Sequence, residues 1–440
     1  MCLQQTDNFV KVYIIAFCVL ASSIFPALKV SAQDTLRINQ KEAESLFLTQ
    51  NLDLIAQKLS IRQAEAAIIQ ARLWPNPEFS LDEVNLWATR NQLSSGETIP
   101  PLFGNVGRNR EFTAELSQLI ETGGKRRKRI ALESVSRDMA AEYFGELVRE
   151  LKMQLRGGLF ELAYQQAYVT ELLAQDAVLA RLVAAFEGQY SRGNVNKGEL
   201  FRLRAVKLEL AQQIVEIQKE IHGLQKDLTV LLHTPANAYL VFEAPDRPDT
   251  GPLATLSLDA LTTTALANRP DARISILQQQ WAQKKYDYEY AQRKPDVNVG
   301  INYDRGGNFL LNFFGFGVKF DVPVFNRNQG AILESKVGIE HAQVQNDQKS
   351  LQVQTEVTEA FRNLRKHLGV YQSLDPAYSD ELGQVLESYT RQFVQRNVSM
   401  VEYLDFLEAV LANKRTILTA LKDLRQSREA LIYVTGSEIQ

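Results

Sequence analysis

Residues 296–322 read DVNVGINYDRGGNFLLNFFGFGVKFDV, with two runs of alternating apolar and polar residues. From Asp296 to Tyr303, the residues Val297, Val299, Ile301 and Tyr303 alternate with Asp296, Asn298, Gly300 and Asn302. From Phe314 to Val322, the residues Phe314, Phe316, Val318, Phe320 and Val322 alternate with Gly315, Gly317, Lys319 and Asp321. Successive side chains of a strand point to opposite faces, so each run predicts a strand with one apolar and one polar face.

A second pair lies far upstream. Phe112, Ala114, Leu116 and Ile120 alternate with Glu111, Thr113, Glu115 and Ser117. From Glu78 to Trp87 the pattern is less regular. Phe79 and Leu81 share a phase from which Val84 and Leu86 have slipped by one residue, which predicts a bulge. The strands run to roughly 9–11 residues, the length needed to cross a bilayer at a tilt. Only four are present, as two separated hairpins. Four strands cannot close a barrel, because about eight is the smallest closed form, and an open edge in lipid leaves backbone groups unsatisfied. Two readings stay open: half-buried strands of a soluble sandwich, or strands that several chains pool into one membrane barrel. The strand length and the isolation of the hairpins favour the second.

The segments beyond the strands are too long for a globular core. Between Gly124 and Tyr190 there is no proline, and only Gly145, Gly157, Gly158 and Gly188 interrupt the helical pattern. A continuous helix there spans about 100 Å. After it, Leu203, Leu210, Ile214, Ile217, Ile221, Leu224, Leu228 and Leu231 follow the 3.5-residue period of a coiled-coil seam. Arg192 to Asn196, RGNVN, supplies the turn between the two. In the second half, Asp375-Pro376 predicts a break in the long helix.

The chain contains itself twice. Gln189 to Val195 resembles Gln392 to Val398, Gln50 to Asp53 resembles Asn268 to Asp271, and Arg72 to Pro75 resembles Arg293 to Pro295. The offset between copies is smaller after Pro75, so the first half carries the longer loop, placed at the Gly-, Pro-, Ser- and Asn-rich stretch Asn91 to Arg108. The expected organisation is a leader over 1–32, a first repeat over 33–232, a linker or equatorial region over 233–257 and a second repeat over 258–440. The first repeat has strands at about 78–88 and 110–121 and a helical hairpin at about 124–232. The second has strands at about 296–304 and 312–322 and a hairpin at about 328–435. Each repeat reads helix, strand, strand, long helix, turn, helix, so the fold class is mainly α with a membrane β part.

Lys11, the apolar run Val12 to Leu28 and Val30-Ser31-Ala32 form an export signal, with cleavage expected after Ala32. Cys2 and Cys18 both lie inside it, so the mature chain would offer no disulfide and no thiolate ligand. A formal net charge of −3 gives no reason to expect nucleic acid as a partner. His222, His233, His341 and His367 show no metal-site spacing, and no catalytic constellation or phosphate-binding glycine loop occurs. No enzyme activity, cofactor or bound metal is expected. The basic run Lys125 to Arg129 opens the long helix beside a strand, where it suits anionic lipid head groups or a solvated cluster.

Together these residues resemble the TolC family of outer-membrane efflux proteins across essentially the whole mature chain. Leu116-Ser117-Gln118, Glu121 and Gly124-Lys125-Arg126 resemble the family's strand-to-helix junction. Pro323 to Gly330, PVFNRNQG, resembles the matching junction of the second half and is most like the heavy-metal branch, the CzcC and CusC type. The resemblance implies a homotrimer whose pooled strands make a twelve-stranded barrel in outer-membrane lipid, continued by a helical coiled-coil tunnel across the periplasm. It implies a periplasmic adaptor and an inner-membrane pump of the resistance-nodulation-division class as partners, with this chain as the passive conduit. It also implies a constriction at the periplasmic tip. The matching positions are Glu402 and Asp405, with Glu199 in the first half, where Arg202 stands in place of the second acid, and Phe393 beside the tip. Glu402 and Asp405 are equally well read as ordinary acids at a helix N-terminus. The alternatives for the whole chain are a periplasmic adaptor, which would show one hairpin rather than two, and an outer-membrane channel for type I secretion.

Overall fold

The computed structural model describes residues 35–85, 90–95, 111–243, 248, 250–305, 312–375 and 377–439. The expected leader, the end of the first strand beyond Asn85, and the long loop after Ser95 lie outside these residues.

The first half runs β1 (Thr35–Ile38), α1 (Gln40–Gln50), α2 (Leu52–Arg72), β2 (Glu78–Asn85), α3 (Arg90–Ser95), β3 (Glu111–Ile120), α4 (Lys125–Ser191) and α5 (Lys197–Leu232). After β4 (Tyr239–Phe242) and α6 (Gly251–Ala254) come α7 (Leu258–Asn268), α8 (Pro270–Gln292), β5 (Val297–Arg305), β6 (Phe313–Phe320), α9 (Gln329–Gln372), α10 (Tyr378–Val394) and α11 (Met400–Thr435).

The four amphipathic strands form one antiparallel sheet in the order β2-β3-β5-β6. The register shifts between Asp82 and Asn85, where the alternation slips. Pairing of Leu116 with Phe79 and Ile301, and of Ile301 with Phe316, puts the alternating apolar residues of the four strands on one face, while Leu119 and Phe313 lie on the other. Phe79, Ile301, Phe314, Phe316 and Val318 are all more than half exposed on the apolar face. The opposite face carries Glu78, Ser117, Gly300, Gly317 and the level pair Asn298 and Lys319.

Each strand continues into a helix. α2 leads into β2, β3 leads into α4, α8 leads into β5 and β6 leads into α9. The helices pack in that same order, α2 on α4, α4 on α8 and α8 on α9, so the sheet and the helical layer form one wall with matching edges. The turn from β3 into α4 needs two successive left-handed residues, Gly123 and Gly124, with φ of 66° and 71°. That conformation is open to glycine without steric cost.

α4 is unbroken for 67 residues, about 100 Å. α5 returns along it and buries Leu203, Leu210, Ile214, Ile217, Ile221 and Leu228 of the predicted seam, with Leu224 and Leu231 half-buried. The second half descends in two pieces, because α9 stops at Gln372 and α10 starts at Tyr378. The break coincides with the predicted Asp375-Pro376 position, of which Pro376 is outside the described residues.

A short parallel pair, β1 with β4, was not legible in the sequence. It ties the start of the described chain to the segment after α5. Asn51, between α1 and α2, and Arg269, between α7 and α8, have nearly the same backbone, φ −63°, ψ 123° and φ −66°, ψ 126°. Each donates to a carbonyl at the end of a returning helix, Asn51 to Leu231 and Arg269 to Val434.

Candidate functional site

Three regions carry the chemistry. At the junction of sheet and helices, the basic run is tied down inside the chain. Lys125 is 4% exposed and pairs with Asp296 at 2.8 Å. Arg129 forks onto Glu121 at 2.7 and 3.2 Å. Arg126 donates to the Arg72 carbonyl at 3.2 Å and lies 4.0 Å over the Trp74 ring. Lys128 donates to the Asp287 carbonyl at 2.9 Å. Four of the five cations therefore fasten α2, α4, α8 and the sheet together, which corrects the expectation that they face head groups or solvent. A sequence cannot show this, because every partner but Glu121 is distant along the chain.

At the waist, arginines gather the ends of several helices. Arg156 of α4 is buried and bonds Glu44, Glu429 and Glu438 at 2.7, 2.7 and 2.8 Å. Burial alone would lower its pKa, but these carboxylates raise it. Arg269 pairs with Asp271 at 2.8 Å and with Glu356 at 2.7 Å. Burial would raise the Asp271 pKa. The hydrogen bonds and charge of Arg269, with Arg149 and Lys349, hold it down at about 2. Glu438 is likewise held at about 2 by Arg156 and Lys152 against the effect of burial. Arg149 and Arg269 also donate to the carbonyls of Tyr433 and Val434 in the last turn of α11, where the helical ladder runs out and Tyr433 otherwise accepts only from the Gly436 cap.

At the far end, two turns close the helical hairpins with one geometry. Asn194 N–H donates to the Gln189 carbonyl at 3.0 Å, and Asn397 N–H donates to the Gln392 carbonyl at 2.9 Å. Gly193 takes the left-handed position in the first turn, φ 74°, and Arg396 takes it in the second, φ 64°. The Arg396 guanidinium donates to the Asn194 carbonyl at 3.1 Å and joins the two tips. Asn196 caps α5 by accepting from Glu199 N–H at 2.8 Å. Ser399 and Glu402 form a reciprocal capping box at 3.3 and 2.9 Å.

The four sequence-predicted tip residues thus have different surroundings. Glu402 is exposed, and hydrogen bonds from the Ser399 backbone and then its hydroxyl lower its pKa. Asp405 is exposed three residues on, so both acids share one side of α11. It lines a groove between α5 and α11 together with Arg202, Glu209 and Arg415. Glu199 is half-buried in the first turn of α5. Phe393 is 5% exposed, stacked between Phe186 at 5.3 Å and Tyr403 at 4.6 Å, so it supports the tip from inside the chain. Phe186 and Tyr403 were not singled out in the sequence. The pattern of α11, with Tyr403 and Leu407 on one buried side, was the available signal.

Among the described residues no group of three or more His, Cys, Asp or Glu side chains is placed to hold a metal ion. None of their helices is long and apolar enough to cross a membrane.

No protein-family model matches the chain. Among curated proteins it is 23% identical over 310 residues to the cobalt-zinc-cadmium resistance protein CzcC of Cupriavidus metallidurans, covering 70% of this chain and 68% of that one. It is 22% identical over 414 residues to the cation efflux system protein CusC of Escherichia coli, covering 88% and 83%. A solved structure of CusC, described in terms of transmembrane channel formation, superposes with a TM-score of 0.68 at 19% identity, covering 93% of this chain and 96% of that one. The chain resembles the heavy-metal branch of the TolC family of outer-membrane efflux proteins. The outer membrane protein VceC of Vibrio cholerae superposes with a TM-score of 0.69 at 16% identity over 91% of this chain and 97% of its own. The TolC-type architecture therefore extends over nearly all of the described chain, including the sheet, the long helices and the waist.

Proposed function

We propose that the chain is the outer-membrane channel subunit of a tripartite efflux system, a passive conduit and not an enzyme. The observation that carries this reading is the sheet. It has an exposed apolar face, a polar opposite face and, among the described residues, two strands, β2 and β6, that each have one neighbour only. Such a sheet satisfies its backbone in lipid only if further strands close it. Three copies supply twelve strands in the outer membrane, with the long helices continuing the passage through the periplasm. A periplasmic adaptor and an inner-membrane pump of the resistance-nodulation-division class complete the path. The pump supplies the energy.

Heavy-metal cations are the proposed cargo, in keeping with the likeness to a cobalt-zinc-cadmium resistance protein, CzcC, and a cation efflux system protein, CusC. At the tip, Glu402, Asp405 and Glu199 are the proposed lining of the constriction, with Phe393 as its internal support. Carboxylates gathered from several chains around one axis attract cations. Glu402 already spends hydrogen bonds on its capping box, so Asp405 is the freer of the two to meet a passing ion.

Detergent-purified protein is expected to behave as a trimer with intact β structure. A monodisperse monomer that keeps its sheet would overturn the reading.

A further inference from the structure

The two open edges of the wall carry unpartnered apolar helix faces, and we infer that these faces form the seam between adjacent copies: α2 of one copy packs antiparallel on α9 of the next, with Arg62 paired to Glu340. The inference rests on the channel reading and adds the surface and register by which the ring closes.

α2 buries Leu54, Ile68 and Ala71, while Leu52, Ile55, Leu59, Arg62, Ile69 and Leu73 follow heptad spacing on an exposed side. Leu52, Ile69 and Leu73 are 58%, 63% and 52% exposed. α9 buries Ser335 and Ala342 on its inner side, while Leu333, Val337, Glu340, Val344, Asp347 and Leu351 keep the same spacing outside. Leu333, Val344 and Leu351 are 63%, 65% and 62% exposed. Stripes of this period are what coiled-coil partners bury against each other.

Topology says what covers them. α2 enters edge strand β2, and α9 leaves edge strand β6. Because the sheet has an even number of antiparallel strands, β2 of a second copy lies antiparallel to β6. Their helices then run side by side in opposite directions, stripe against stripe.

Charge supports the same occupant. The one charged residue in the α2 stripe is basic, and those in the α9 stripe are acidic. Among the described residues neither Arg62 nor Glu340 makes an ion pair within the chain.

Contacts across the wall give the levels. Ala71 receives a hydrogen bond from Arg129, whose neighbour Lys128 bonds Asp287, and Lys285, beside it, pairs with Glu334. Ser275 with Asn346 shows the same α8-to-α9 register lower down. Arg62 lies nine residues from Ala71, and Glu340 lies six from Glu334, so the two fall within one helical turn. Rotation about an axis along the wall leaves levels unchanged. With Arg62 opposite Glu340, Ile69 meets Leu333, Leu59 meets Val344 and Leu52 meets Leu351.

The test uses the full chain, whose natural Cys2 and Cys18 fall in the expected leader. Leu59→Cys combined with Val344→Cys is expected, on mild oxidation in membranes, to convert most of the protein to disulfide-linked multimers that collapse on reduction. The out-of-register pair Leu59→Cys with Leu333→Cys should stay a single-chain band. Arg62→Glu should lower the cross-linked fraction severalfold, and adding Glu340→Arg should restore it. Light scattering of the reduced protein in detergent separates the failures. An intact oligomer without the 59–344 cross-link overturns the seam and leaves the channel reading standing, whereas no oligomer at all overturns both. If Arg62→Glu has no effect, or Glu340→Arg fails to rescue it, the ion pair is overturned.

Discussion

The two hairpins reach the same end of the molecule by different means. The first descends as one 67-residue helix and turns at Gly193, while the second descends as α9 and α10, with a joint after Gln372, and turns at Arg396. Matched positions at the two tips have opposite surroundings. Tyr190 in the first is 43% exposed, whereas its counterpart Phe393 is 5% exposed between Phe186 and Tyr403. A continuous rod holds its own tip in place, because every turn passes the constraint to the next. A jointed hairpin cannot do that, so its tip has to be fastened sideways. The stack of Phe393 with Phe186 is that fastening, from α10 onto α4. The second tip, the one near Glu402 and Asp405, is therefore held by packing where the first is held by its own helix.

The largest expected effect follows from this contrast. Phe393→Ala removes the centre of the stack and should cost about 3–5 kcal/mol, the usual range for a buried aromatic truncated to alanine. Tyr190→Ala at the matched position should cost less than about 1 kcal/mol. Urea unfolding of the two variants measures the difference, and equal losses would erase the distinction between rod and jointed arm.

A smaller effect should be shared. Asn196→Ala and Ser399→Ala each delete an N-cap acceptor and should each cost about 1 kcal/mol, since both tips begin their return helix with a side-chain cap. Hydrogen exchange in the first turns of α5 and α11 reads it locally. A loss confined to Ser399→Ala would show that the capping box, and not the shared cap, decides the second tip.

Much of this was legible in the residues, for physical reasons that differ from element to element. The sheet was readable because Val297 to Tyr303 and Phe314 to Phe320 alternate strictly, and such alternation has one structural meaning. The α4–α5 seam was readable because Leu203 to Leu228 keep a 3.5-residue period. The waist was not readable. Arg156 meets Glu44, Glu429 and Glu438 only after the whole chain has folded, and nothing local marks one arginine among many as buried. The same holds for Lys125, which reads as part of an exposed basic run and instead lies buried against Asp296. β1 and β4, at four residues each, are too short for a period to show. At the tip, Glu402 and Asp405 were singled out only through a family resemblance. The surroundings of Phe393 came only from packing.

A chain that builds a hole through a membrane must conduct ions. Purified oligomer added to a planar lipid bilayer should produce discrete current steps that favour cations and are blocked by trivalent cations. Glu402→Ala with Asp405→Ala should lower both the selectivity and the block while the steps persist. Oligomer that inserts with its sheet intact and passes no current would overturn the channel reading.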